Sequence, residues 1–116
     1  MKLKQIPQGK IMVLEVTGKI MGGPDFDRFK EEIKGLIAGG YNHVVLDFGG
    51  VPWINSTGLG ILITGFHSLK AADGSMKICN VQERVLSIFY ISQLENIFQV
   101  FPTCEEALAS FKAAEA

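Results

Sequence analysis

From Phe48 to Leu69 the chain runs for 22 residues without a formal charge. A stretch of that length raises the question of a membrane span. Pro52, Asn55, Ser56 and Thr57 interrupt it, and glycines at 49, 50, 58, 60 and 65 thin it, so its apolar part is too short to cross a bilayer. What remains after Gly58 carries Leu59, Ile61, Leu62, Ile63, Phe66 and Leu69, apolar on nearly every face of a helix. Such a helix has to be covered almost all round. A chain of 116 residues supports one core and one domain, so the cover must come from the rest of the same domain.

The flanking segments supply it. HVVLDF, just before the uncharged stretch, reads as a buried strand, and KIMVLEVTG (Lys10 to Gly18) as another with apolar residues on both faces. KLKQI is short enough to pair with it as an antiparallel edge strand, joined through Pro7-Gln8-Gly9. Pro24 suits a first helical turn. Phe26, Phe29, Ile33 and Ile37 then recur at three- and four-residue steps, predicting an amphipathic helix from Pro24 to about Ala38, stopped by Gly39-Gly40. The uncharged helix spans Gly58 to about Ala72 and ends at Asp73-Gly74. MKICNV is a further strand and ERVLSIFYISQL a helix with Val85, Leu86 and Phe89 as its core face. IFQVF is a last strand, and Thr103 with Glu106 three residues on is a capping box for a final helix with Ala107, Leu108 and Phe111 as its buried stripe.

Strands alternate with helices after the first pair, which predicts an α/β sandwich. Its sheet is mostly parallel, of four to five strands, with an antiparallel N-terminal edge strand and about four helices. Loops leaving the carboxyl ends of parallel strands share one edge of the sheet. Lys19–Gly23 and Gly49–Asn55 are two such loops, and Ser56 lies at that edge.

Four chemistries compete for Asn55-Ser56-Thr57-Gly58. A helix cap contributes about 1 kcal/mol and excludes no second role. The glycan pattern N-x-[ST] is short and common, and it is discounted because no secretory signal precedes it: Pro7, Gln8, Gly9 and Lys10 stand where a leader needs an apolar run. A nucleophile elbow lacks its first glycine, which is Ile54, and a serine needs a base within reach. His67 lies about 16 Å along the same helix, and His43 stands at the far end of the preceding strand. A phosphate acceptor fits best, because a helix amino terminus favours the roughly −1.5 to −2 of charge that a phosphoryl group brings. A partner over that edge would meet this charge directly. Met21 and Trp53 are read first as core or loop packing and second as apolar contacts for such a partner.

Other motifs are missing. No dinucleotide fingerprint, phosphate loop or HExxH occurs, and Asp47 is read as a loop hydrogen-bonding group. Cys79 and Cys104 form neither a disulfide framework nor a zinc site, so a reducing, cytoplasmic setting is expected, without metal or cofactor. With 11 basic and 12 acidic residues spread along the chain, no basic stripe points to nucleic acid or anionic lipid.

The order of elements and the run VVLDFGGVPWINSTGLGILI resemble the STAS domain, the family of anti-sigma factor antagonists, over nearly the whole chain. Its strand ends in an Asp, matched by Asp47, and its motif D-S-[ST]-G-L-G is matched by Asn55-Ser56-Thr57-Gly58-Leu59-Gly60. The resemblance implies a protein-binding switch in a bacterial cytoplasm, not an enzyme. The unmodified antagonist binds an anti-sigma factor, usually a serine kinase, and frees a sigma factor. The kinase phosphorylates the motif serine, here Ser56 with Thr57 as the lesser candidate, and a PP2C-type phosphatase resets it. Met21, Gly22, Trp53, Asn55, Ser56, Thr57, Gly58 and Leu59 form the expected partner surface. The family's Asp is Asn55 here, which keeps the cap and removes the charge. The alternative is a constitutive STAS adaptor in a transporter or stress-signalling complex, without phosphorylation. The short N-terminal edge strand also leaves room for homodimer contacts.

Overall fold

The computed structural model describes residues 1–94 and 97–115. Five strands form one sheet in the order β1 (Lys2–Gln8), β2 (Ile11–Thr17), β3 (His43–Gly50), β4 (Ser75–Cys79) and β5 (Gln99–Phe101). β1 pairs antiparallel with β2, and the remaining pairs are parallel. The connections are α1 (Pro24–Ala38), α2 (Ser56–Ala71) and α3 (Glu83–Ile91), and α4 (Cys104–Glu115) ends the chain. Because each parallel strand is added beside its predecessor in one direction, right-handed crossovers put all three connecting helices on the same face. The opposite face is left to α4.

The strand side chains divide accordingly. Met12, Leu14, Val16, Val44, Leu46 and Phe48 point into the larger core, with Phe29 and Ile33 of α1, Leu62 and Leu69 of α2, and Phe89 of α3. Their alternate neighbours Ile11, Val13, Val45 and Cys79 pack under Ala107 and Phe111 of α4. The expected two-sided burial of β2 is thus present. α2 packs against α1, and Gly65 lets the two helices meet: a β-carbon there would fall 2.4 Å from Phe29 Cε1.

Several expected boundaries and faces are corrected. Pro7 and Gln8 are strand residues, and Gly9-Lys10 alone make the turn. β1 is an edge strand, where a residue without an N–H is tolerated. Lys2, Lys4 and Pro7 are exposed along it. The stripe of α1 is Phe29, Ile33 and Leu36, whereas Phe26 is 37% exposed. Leu86 and Leu108 are only partly buried. β5 begins at Gln99, because Phe98 turns into the core. At α4, Glu106 N–H donates to Thr103 Oγ1 at 3.1 Å, as a cap requires.

Among the described residues Lys77 is the one buried charged side chain, 8% exposed. Its Nζ reaches Ser110 Oγ and sits 4.0 Å from the centroid of the Phe111 ring. Burial holds its pKa below the ordinary lysine value. The folded state therefore resists protonation, and its penalty is fully present below the folded pKa and relieved as pH rises towards the unfolded value. Lys77→Met should leave stability at pH 7 unchanged or raise it by about 1 kcal/mol, an advantage that shrinks as pH rises towards about 10 and is gone above it. Urea denaturation at both pH values checks this, and a clear loss at pH 7 would contradict it.

Candidate functional site

The sheet does not stop where β2 and β3 end. Gly18 N–H donates to Gly50 O at 2.9 Å and Ile20 N–H to Trp53 O at 3.1 Å, while Asn55 N–H donates to Ile20 O at 3.3 Å. Ile20 and Ile54 form an isolated parallel bridge. Both are fully buried, as is Val51, so each loop is pinned to the core by an apolar side chain at its centre. The two loops therefore extend the sheet as a narrow ribbon. A third loop is tied in beside them. Asp47 Oδ1 accepts from Gly49 N–H at 2.9 Å and from Asn80 Nδ2 at 3.1 Å, and Gln82 Nε2 donates to Gly49 O at 3.1 Å. Asp47 is thus the loop hydrogen-bonding group expected of it.

α2 starts two residues earlier than its apolar periodicity indicates, and this decides the role of the serine. Asn55 is the cap: its Oδ1 accepts from Gly58 N–H at 2.8 Å. Ser56 and Thr57 are consequently the first two residues of the helix, and both are exposed. Among the described residues Ser56 Oγ has no hydrogen-bond partner. The backbone N–H groups of the first helical turn lack intrahelical acceptors and carry the positive end of the helix dipole. A free hydroxyl therefore stands beside a centre of positive potential.

The expected partner residues separate into an upper and a lower layer. Met21 and Trp53 are 46% and 38% exposed, and with Ser56, Thr57 and half-buried Asn55 they form the accessible surface. Gly22, Gly58 and Leu59 are buried beneath it. A β-carbon on Gly22, whose φ is +97°, would fall 2.5 Å from Thr57 Cγ2, and one on Gly58 would fall 2.3 Å from Ile20 O. These glycines bring the chain's own loop and helix together.

The imidazoles are engaged elsewhere. His43 Nδ1 lies 3.0 Å from Ser75 Oγ at the opposite end of the sheet, and the His67 ring packs edge-on to Phe66. Among the described residues no group of three or more His, Cys, Asp or Glu side chains is arranged to hold a metal ion, and no helix is long and apolar enough to cross a membrane. Cys79 and Cys104, isolated in sequence, both lie in the smaller core, and burial pushes both thiols up. One apolar feature lies outside the expected site. α3 and β5 border an open groove of about 640 Å³ floored by Phe89 and Phe98, with Tyr90 at its wall. Tyr90 is 60% and the adjacent Ile91 83% exposed. Both lie off the Val85-Leu86-Phe89 stripe, which was the signal for this patch in the sequence.

Comparison with known proteins agrees with this architecture. The family model of the STAS domain matches residues 3–107. BtrV, a candidate anti-sigma factor antagonist of Bordetella bronchiseptica, is 27% identical over 103 residues, covering 89% of each chain. A sulfate transporter family protein of Wolinella succinogenes superposes with a TM-score of 0.82 at 20% identity, covering 96% of this chain and 93% of that one. The Bacillus protein SpoIIAA in its phosphorylated form superposes with a TM-score of 0.72 at 18% identity, covering 95% and 99%. Its unphosphorylated form, an anti-sigma factor antagonist, gives 0.71 at 14% identity, covering 97% and 98%.

Proposed function

The chain belongs to the STAS domain family, and we propose that it works there as an anti-sigma factor antagonist switched by phosphorylation of Ser56. In this reading the unmodified edge docks on a cytoplasmic anti-sigma factor with serine kinase activity, so that a sigma factor is freed and transcription changes. The kinase transfers the γ-phosphoryl group of ATP to Ser56 Oγ, which gives up its proton, and ADP leaves. A PP2C-type phosphatase restores the hydroxyl. The protein itself contributes no catalytic residue.

The observation that carries the reading is the division of labour at the helix start. Asn55 holds the cap, so the Ser56 hydroxyl is exposed and unengaged. Added charge of about −1.5 to −2 at that position interacts favourably with the helix dipole, so the fold accepts it. The docked partner does not: the new charge must be desolvated against it, between Met21 and Trp53. Thr57 is the lesser acceptor because its methyl group packs against Gly22. The phosphorylated form of SpoIIAA supports the reading by analogy of fold.

The constitutive adaptor is the second reading, favoured by the superposition on the sulfate transporter family protein. Peptide mass spectrometry of the protein from its native cells separates the two. The switch predicts phosphate on Ser56, with occupancy that changes under stress, and little or none on Thr57. Absence of phosphate from Ser56 under every condition would favour the adaptor.

A further inference from the structure

We infer that Asn55 is an amide latch that holds the Met21–Gly23 turn against the first turn of α2 and so sets the arrangement of the surface around Ser56. For its effect on a partner this rests on the reading above; the latch itself does not.

Asn55 uses its backbone and both ends of its side chain. Its backbone N–H donates to Ile20 O at 3.3 Å, and its C=O accepts from Leu59 N–H at 2.9 Å. Its Oδ1 accepts from Gly58 N–H at 2.8 Å, while Nδ2 donates to Met21 O at 2.9 Å. The orientation of the amide follows from its neighbours. A backbone N–H only donates and a carbonyl only accepts, so one of the two amide orientations satisfies both. The reversed amide would set N–H against N–H and oxygen against oxygen.

This makes residue 55 more than a cap. A carboxylate would accept from Gly58 N–H equally well, and it would also place an acceptor against the Met21 carbonyl. Serine would cap through its hydroxyl and reach the carbonyl poorly. The position thus separates two duties that capping preference alone merges: any of Asn, Asp or Ser starts the helix, and only Asn also closes the loop. The loop depends on this bond. Gly22 and Gly23 both take positive φ, so the turn is built from the residues with the widest conformational freedom, and Gly22 seats against Thr57. Met21 and Trp53 then stand on adjacent strands of the ribbon, joined through the Ile20–Trp53 bond, beside Ser56. Asn55 is a positioning residue: it orders what a partner would touch.

The test uses the full chain and Asn55→Asp, followed by amide hydrogen exchange and by the emission of Trp53, the sole tryptophan. At pH 7 the Ile20 N–H should exchange roughly tenfold faster than in the wild type, while Gly58 N–H, still capped, keeps its protection. Trp53 emission should shift at pH 7 and return towards the wild-type spectrum near pH 3, about a unit below the ordinary carboxylate range, because the introduced carboxyl, once protonated, can donate to Met21 O. Asn55→Ser should show the open loop at both pH values with Gly58 still protected, and it serves alone if the aspartate variant does not fold. Unchanged Ile20 protection in the variants would overturn the latch. So would equal loss at Ile20 and Gly58, the signature of a cap and nothing more. None of these readouts involves a partner, so the latch can fail while phosphorylation of Ser56 stands, and the reverse.

Discussion

Gly58→Ala is expected to destabilise the domain by about 3 kcal/mol or more, although alanine is the better helix former by about 1 kcal/mol. The reason is where the new methyl group would go. It would fall 2.3 Å from Ile20 O and 2.7 Å from Ile54 Cγ1. Ile54 could rotate, but Ile20 O is backbone and accepts the Asn55 N–H, so it cannot yield without opening the ribbon of loops. Gly60→Ala is the matched control. It lies one residue past Leu59 in the same helix with nothing within 4 Å of the added carbon, so there the propensity gain of about 1 kcal/mol should appear undiminished. Urea denaturation of the two variants should therefore give midpoints displaced in opposite directions. A Gly58→Ala protein as stable as the wild type would mean that loop and helix are not in contact as described.

Ser56→Asp carries the second large effect, and it falls on binding instead of stability. An acidic side chain in the first turn of α2 should stabilise the free protein by about 0.3–1 kcal/mol, through the helix dipole. Under the proposed switch, binding of an anti-sigma kinase should nevertheless fall by at least about thirtyfold, because a charge at the centre of the docked surface would be desolvated and would face a partner fitted to a hydroxyl. Ser56→Ala removes a group that makes no hydrogen bond among the described residues and should retain the affinity within about twofold. Opposite signs for stability and binding in one variant are the mark of a switch. A variant that lost both would merely be misfolded.

Much of this was legible in the sequence, and the remainder shows why some was not. The limits of α1 agree with its pattern because Pro24, the three- and four-residue apolar steps and Gly39 are all local signals. β2, apolar on both faces, likewise announced a strand with cover on each side. The start of α2 was less legible, because Asn55, Ser56 and Thr57 can each cap a helix and none adds to the apolar periodicity. What separates them is the Met21 carbonyl, 34 residues away in the chain, and no local pattern contains it. The buried state of Gly22 and Gly58 has the same origin: their neighbours are Thr57 and Ile20, brought up by the crossover through α1. Cys79 and Cys104 also meet only in the fold. The edge that carries Ser56 was accessible to reasoning because it follows from strand direction alone, whereas which of its residues face outwards depends on packing between loops.

If a phosphoryl group on Ser56 controls docking at this edge, one titration shows it. The cognate anti-sigma kinase is titrated with the same protein before and after phosphorylation at Ser56, and again after treatment with a PP2C-type phosphatase. The expected result is binding by the unmodified chain, loss of at least about thirtyfold on phosphorylation, and recovery once the phosphate is removed. Equal affinity in all three states would contradict it.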